Sequence, residues 1–328
     1  MDHYNYEIAV CSLIFFSLTL VFYFSKRQFP SAQNKLFSIA LVMGFFDIAL
    51  DIASSIIIEN VSRLPLALVY GVNTLFYSLQ VIFPALMFLY ALASVNPEKQ
   101  GRRLRAMLLL PEAIMLALTL SNPFTHCVFY VKEGLYIRTA LFPVLYILGA
   151  FYTLLTFITV IIYRKRMSSA YFWALYFFVF LSAASLGISF KYPEYLLSSI
   201  AIAIAMNIMY QVMQKPEDML DRLTETFNRG AMQIYLKACI EGSRKYRLIM
   251  VEINGIRRTN NLFGYTMGDA VLKETAKFMQ SISDDWTFRV ISNQFLIVST
   301  GEETGEYFIK KISERFSEPW DINNISMH

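Results

Sequence analysis

The chain has 328 residues, of which 56% are hydrophobic and only 16% charged, with a mean hydropathy of +0.44 and a formal net charge of +4. Soluble domains carry about 25% charged residues, so this composition excludes a chain that lies wholly in water. The apolar residues are concentrated in 1–213 and the charged ones become dense after Lys215, which predicts an apolar N-terminal region, a short linker at 214–220 and a polar domain over 221–328.

In chain order, apolar runs occupy 7–25, 36–58, 64–94, 104–120, 138–163, 170–189 and 194–213. A spanning helix needs about 20 apolar residues, so the pattern predicts seven spans and a bilayer as partner. Pro84 inside the third run predicts a kink. One set of connecting loops carries Lys26, Arg27, Lys35, Lys99, Arg102, Arg103, Arg105, Arg164, Lys165, Arg166 and Lys215; the other carries only Arg63, Lys132, Arg138 and Lys191. The basic set marks the cytoplasmic side. Seven spans then place Met1 outside and the polar domain inside. Asp2 and Glu7 stand where a secretory signal would be basic, so the first run is expected to be retained. The basic loops account for the net charge and give no ground for a nucleic-acid partner.

Asp47 and Asp51, at i and i+4, share one face of the second run. Asn73, Tyr77 and Gln80 form a similar stripe on the third, and Glu112 follows Pro111 in the fourth. Carboxyls inside a bilayer cost about 2.5–3.5 kcal/mol each on insertion scales, so they must face protein or water. Two readings stay open: a polar pocket for a ligand or proton, or interhelical hydrogen bonds that fix packing. His126, alone in the loop 121–137, reads as a hydrogen-bonded residue. Cys11, Cys127 and Cys239 are too scattered for a disulfide framework or metal spacing and read as small buried thiols. The last run has no Lys for a Schiff base, and no catalytic motif occurs in the runs.

Beyond Lys215 the pattern predicts a helix over 228–242 with Met232, Tyr235, Leu236, Cys239 and Ile240 on one face. A strand over 246–254, a helix over 269–280, two strands over 286–291 and 295–300 and a helix over 304–317 follow. Ser292, Asn293 and Gln294 join the two later strands as a hairpin. The fold class is therefore a multi-pass α-helical membrane region followed by an α+β domain.

Several segments of this domain resemble a known family. Residues 221–229, Asp-Arg-Leu-Thr-Glu-Thr-Phe-Asn-Arg, are similar to the DxLTxLxNR motif of GGDEF domains. Residues 252–261 align on DxDxFKxxND, and Phe263, Gly264, Gly268, Asp269 and Leu272 match the FG and GDxVL that follow. The resemblance implies a nucleotide-cyclase palm in which two GTP molecules meet at a homodimer interface, with carboxylates holding two divalent metals such as Mg²⁺. It also places the family's signature on residues 289–295, Arg-Val-Ile-Ser-Asn-Gln-Phe. There the glycine pair corresponds to Ile291 and Ser292, the acidic pair to Asn293 and Gln294, and the first metal-binding Asp to Glu252. The guanine-contacting positions correspond to Asn260 and Asp269, although Asp269 also reads as an N-cap for the helix after it. The inhibitory RxxD motif corresponds to 282–285 and lacks its Arg. By the family's standard a further strand and helix would follow residue 328. Residues 121–138 resemble the outer loop of seven-span sensor modules found on bacterial histidine kinases and GGDEF proteins.

The expectation is a sensor in the bacterial cytoplasmic membrane, coupled to a non-catalytic GGDEF-like domain that retains GTP contacts or acts on a cytoplasmic partner in cyclic di-GMP signalling. Three alternatives stay open: the front part of a GGDEF–EAL phosphodiesterase, an active diguanylate cyclase, and a transporter with a vestigial tail.

Overall fold

A computed structural model describes residues 4–26, 28–95, 102–213, 219–243, 245–282, 285–322 and 325–327. Arg27, Lys99, Lys215, Pro216, linker positions 214–218 and positions 283–284 of the RxxD equivalent lie outside them. The chain divides into two compact units between Lys215 and Pro216.

The first unit is helical: α1 (Glu7–Phe24), α2 (Ala32–Glu59), α3 (Leu66–Val95), α4 (Arg102–Leu120), the short α5 (Asn122–Thr125), α6 (Phe142–Ile162), α7 (Ser169–Lys191) and α8 (Leu197–Met213). Every apolar run thus carries a helix. Of these, α1, α2, α3, α6 and α7 are long and apolar enough to cross a membrane, whereas the apolar stretches of α4 and α8 are shorter, Met107–Leu120 and Leu197–Val212. Capping sets where some of them start. Ser31 accepts a hydrogen bond from Asn34 N at 3.0 Å ahead of α2, and Ser168 one from Tyr171 N at 3.4 Å ahead of α7. Helix α3 continues through Pro84.

The packing of α1 follows from its spacing. Ala9, Ser12, Phe16, Thr19 and Tyr23 form a buried stripe at helical period, while Ile14, Phe15, Leu18, Val21 and Phe22 are exposed. Cys11 lies off the stripe and is exposed, Cys127 is half-buried and Cys239 buried, so the expectation of three buried thiols holds only in part. The segment before α1 is strapped down. Both Tyr4 N, at 2.7 Å, and Tyr6 Oη donate to the Glu59 carboxylate, and Asn5 N donates to Glu194 O at 2.8 Å.

The stretch expected as a loop at 121–137 is ordered instead. After α5, β1 (Phe129–Lys132) and β2 (Leu135–Arg138) pair antiparallel around Glu133 and Gly134, whose φ values of 55° and 73° suit a two-residue hairpin turn. Tyr70 Oη bridges His126 Nδ1 at 2.8 Å and Val131 N at 3.2 Å, fixing this hairpin to α3.

The second unit is α+β. A three-stranded antiparallel sheet of order β3-β5-β4 uses β3 (Arg247–Glu252), β4 (Trp286–Ile291) and β5 (Gln294–Ser299). Around it lie α9 (Arg229–Glu241), α10 (Ile256–Phe263), α11 (Tyr265–Ser281) and α12 (Gly305–Ser317), followed by the pair β6 (Trp320–Ile322) and β7 (Ile325–Met327). On α9, Tyr235 packs against Trp286 and Phe288 of β4. Leu272 and Ala276 of α11 close over Ile253 and Phe295, and Met279 over Ile297 and Phe308.

The sequence pattern gave no sign of α10. Gly255 and Gly264, both at φ 84°, bracket it. Helix α11 begins at Tyr265, four residues earlier than predicted, because the positive φ of Gly264 ends α10 and lets the chain turn at once into the next helix. Asp269 therefore lies within α11 and is not an N-cap; Gly264 holds that position.

Candidate functional site at the β4–β5 hairpin

The signature-equivalent residues sit at the tip of the hairpin and beside the end of β3. Register places Glu252 directly opposite Gln294, whose Nε2 donates to Glu252 Oε2 at 3.2 Å. Asn293 grips the next residue of the β3 end twice: Ile253 N donates to Asn293 O at 3.0 Å, and Asn293 Nδ2 donates to Ile253 O at 2.7 Å. The pairing of β4 and β5 is irregular between Arg289 and Ile291, and Ser292 takes a φ of 38°. Ile291, at one glycine-equivalent position, is 54% exposed. The Cβ atoms of Ile291 and Ser292 thus stand where the family keeps bare backbone for a nucleotide.

Arg289 ties this tip to the start of the domain. Its Nε and Nη2 donate to Ser292 O at 2.8 and 2.6 Å, and its Nη1 reaches Asp221 Oδ1 at 2.8 Å. The same Asp221 oxygen accepts from Leu223 N, Thr224 N and Thr224 Oγ1. Partial burial pushes the Asp221 carboxyl up, but the Arg289 guanidinium and the Thr224 donors outweigh it and hold the carboxyl below its ordinary value.

The donor set does not fit a divalent metal. Glu252 is a lone carboxylate whose nearest cross-strand partner presents an amide N–H₂ to it, and an amide hydrogen occupies the side a cation would need. Among the described residues no group of three or more His, Cys, Asp or Glu is placed to hold a metal.

The guanine-side residues are close in the fold but unlike in state. Asn260, on α10, buries its Oδ1 without a hydrogen-bond partner. That oxygen lies so close to Gly268 that a Cβ there would overlap it. Asp269, the next residue on α11, is exposed, as is Arg257 on α10. The Asn260 oxygen is therefore a buried acceptor with no donor from the protein.

The polar residues of the apolar helices resolve into three contacts. Gln80 Nε2 donates to both oxygens of Asp47 at 3.2 and 3.3 Å. Ser199 and Ser198 hydroxyls donate to Asp51 at 2.8 and 3.3 Å, and the Ser54 hydroxyl donates to Asn73 Oδ1 at 2.8 Å. Asp47, Asp51 and Asn73 are buried. Glu112 is buried with neither carboxyl oxygen bonded. The serines were not singled out from sequence, since nothing in their spacing separates them from other small helix residues.

A family model described as "Diguanylate cyclase, GGDEF domain" matches residues 218–328. A diguanylate cyclase of Vibrio cholerae serotype O1 is 32% identical over 106 residues, 30% of this chain and 33% of that protein. The chain thus spans about a third of the curated relative it matches. Two solved structures are similar at 19% identity over 33% of this chain. One is a diguanylate cyclase/phosphodiesterase from Caldicellulosiruptor saccharolyticus (68% of that chain, TM-score 0.31). The other is a sensory box/GGDEF family protein from Caulobacter crescentus (76%, TM-score 0.28). Residues 218–328 are a GGDEF domain, carried behind a helical region with five helices long and apolar enough to cross a membrane.

Proposed function

We propose that the protein is a membrane-bound signalling protein of the cyclic di-GMP system, in which a seven-span region receives a cue and a non-catalytic GGDEF domain relays it. The spans are α1, α2, α3, α4, α6, α7 and α8, with the N-terminus outside and the GGDEF domain in the cytoplasm. The asymmetry of Lys and Arg between the two sets of loops supports this orientation.

One observation carries the non-catalytic reading. Glu252 faces an amide, not a second carboxylate, at 3.2 Å. Cyclisation of GTP needs its phosphate charge neutralised, and removing metal ligands costs several kcal/mol of transition-state stabilisation. Asn260 and Asp269 keep the guanine side available, so the domain binds GTP weakly and dimerises without turning it over. Full-length protein in detergent, incubated with GTP and Mg²⁺, tests the reading. The expected result is saturable GTP binding that Asp269→Ala abolishes, with no cyclic di-GMP formed; accumulation of cyclic di-GMP overturns it.

A further inference from the structure

A cavity of about 110 Å³ opens inside the helical unit, at the end of the bundle where the β1–β2 hairpin enters α6. Charges of opposite sign face it from separate elements. Asp51, from α2, is buried and held only by the neutral hydroxyls of Ser198 and Ser199. Arg138, at the end of β2, lies over the Phe142 ring with its guanidinium carbon 4.6 Å from the centroid. Among the described residues no carboxylate comes within 4.0 Å of that guanidinium. Tyr77 and Tyr146 supply aromatic walls, and Tyr4 of the N-terminal strap lines the same space. Asp51 lies eight residues before Glu59, the anchor of that strap, so it sits roughly two helical turns inward. A second space of about 60 Å³, lined by Asp47, shares Gln80, Ser185 and Ser198 with the first.

Two opposite charges around one cavity, neither neutralised by the other or by a third group, are costly to keep in a low-dielectric surround. An occupant with a cation at one end and an anion at the other offsets both. We infer that this cavity binds a small amphoteric molecule of the amino-acid class, its ammonium group at Asp51 and its carboxylate at Arg138. The aromatic walls favour the ammonium end by cation–π attraction. A cavity of this size suits a small molecule and not a peptide. An ethanolamine or serine phospholipid headgroup carries the same pair of charges. Ligand occupancy would be the cue of the reading above; binding itself rests on the helical unit alone and stands or falls independently of the GGDEF domain.

The test uses the full chain in phosphatidylcholine nanodiscs. Its melting is followed with each common α-amino acid in turn, and for any that acts, with the corresponding amine lacking the carboxylate and acid lacking the amine. The expected result is a Tm rise of a few degrees with at least one amino acid. Each one-charged analogue should bind about tenfold or more weakly. Asp51→Asn and Arg138→Gln should each remove the rise while melting cooperatively without ligand. A rise with phosphatidylethanolamine in the disc and none with free amino acids assigns the same chemistry to a lipid headgroup. No rise with either source, equal rises with the one-charged analogues, or rises that persist in both charge variants overturn the inference.

Discussion

Arg289 Nη1 and Asp221 Oδ1, 68 residues apart, meet at 2.8 Å and join the start of the GGDEF domain to the tip of its hairpin. The contact is one of four that converge on a single carboxylate oxygen, so removing either partner leaves several donors or a guanidinium without its acceptor. Arg289→Ala is expected to destabilise the domain by about 1–3 kcal/mol, the range for hydrogen bonds to charged groups with some exposure. Urea unfolding of the full chain, followed through Trp286 at the start of the same strand, measures this.

The same carboxylate sets a pH dependence. Its folded-state value lies below the unfolded one, so the stabilisation is fully present above the unfolded Asp value of about 3.9. It is lost as pH falls through the folded value. The urea midpoints of wild type and Asp221→Asn are expected to differ at neutral pH and to converge in acid. A gap that widens below pH 4 would contradict the contact.

The lack of a Cβ at Gly268 leaves room for the Asn260 side chain. Gly268→Ala should force the Asn260 side chain off α11 and destabilise by about 1–3 kcal/mol, the usual cost of overpacking. Gly268→Ala combined with Asn260→Ala should recover most of the loss. Additive losses in the double-mutant cycle would show that the two side chains do not compete for the same space.

Gln294→Glu places two carboxylates opposite each other across β3 and β5. Like charges in such a pair cost about 0.2–1 kcal/mol. Tm in EDTA should therefore fall slightly, and added Mg²⁺ should restore it, a response that the wild-type chain does not give. Equal Mg²⁺ responses in both chains would mean that the wild-type hairpin already holds a metal.

Within the helical unit, Asn73→Leu removes the acceptor of Ser54. Interhelical hydrogen bonds of this kind contribute about 0.6–1.7 kcal/mol. A loss of that size in a detergent unfolding titration is expected. A larger loss would point to a polar network reaching beyond the Ser54–Asn73 pair.

Much of this architecture was legible in the sequence. Apolar run length located the helices of the first unit. Alternation located β3, β4 and β5 to within two or three residues. The departures have local causes. Strands β1 and β2 are four residues each, too short for alternation to register, and only the Glu133–Gly134 turn marks them. Helix α10 has no buried residue, so no apolar stripe announced it. At the site, the amides Asn293 and Gln294 stand in the sequence where the family resemblance implies acids. What those amides do was not legible there, since their partners, the backbone of Ile253 and the carboxylate of Glu252, lie about 40 residues away. Arg138 read only as a loop cation for the same reason: that no carboxylate among the described residues pairs with it is a property of space, not of sequence neighbours.

The strap at Tyr4, Asn5 and Tyr6 has a practical bearing on how this protein is handled. Three of its groups are bonded to Glu59 and Glu194, and the first of its residues borders the cavity. A fusion partner or purification tag ahead of Tyr4 would tug on those bonds with every thermal movement of its bulk. Protein labelled at the other end keeps that corner of the bundle undisturbed.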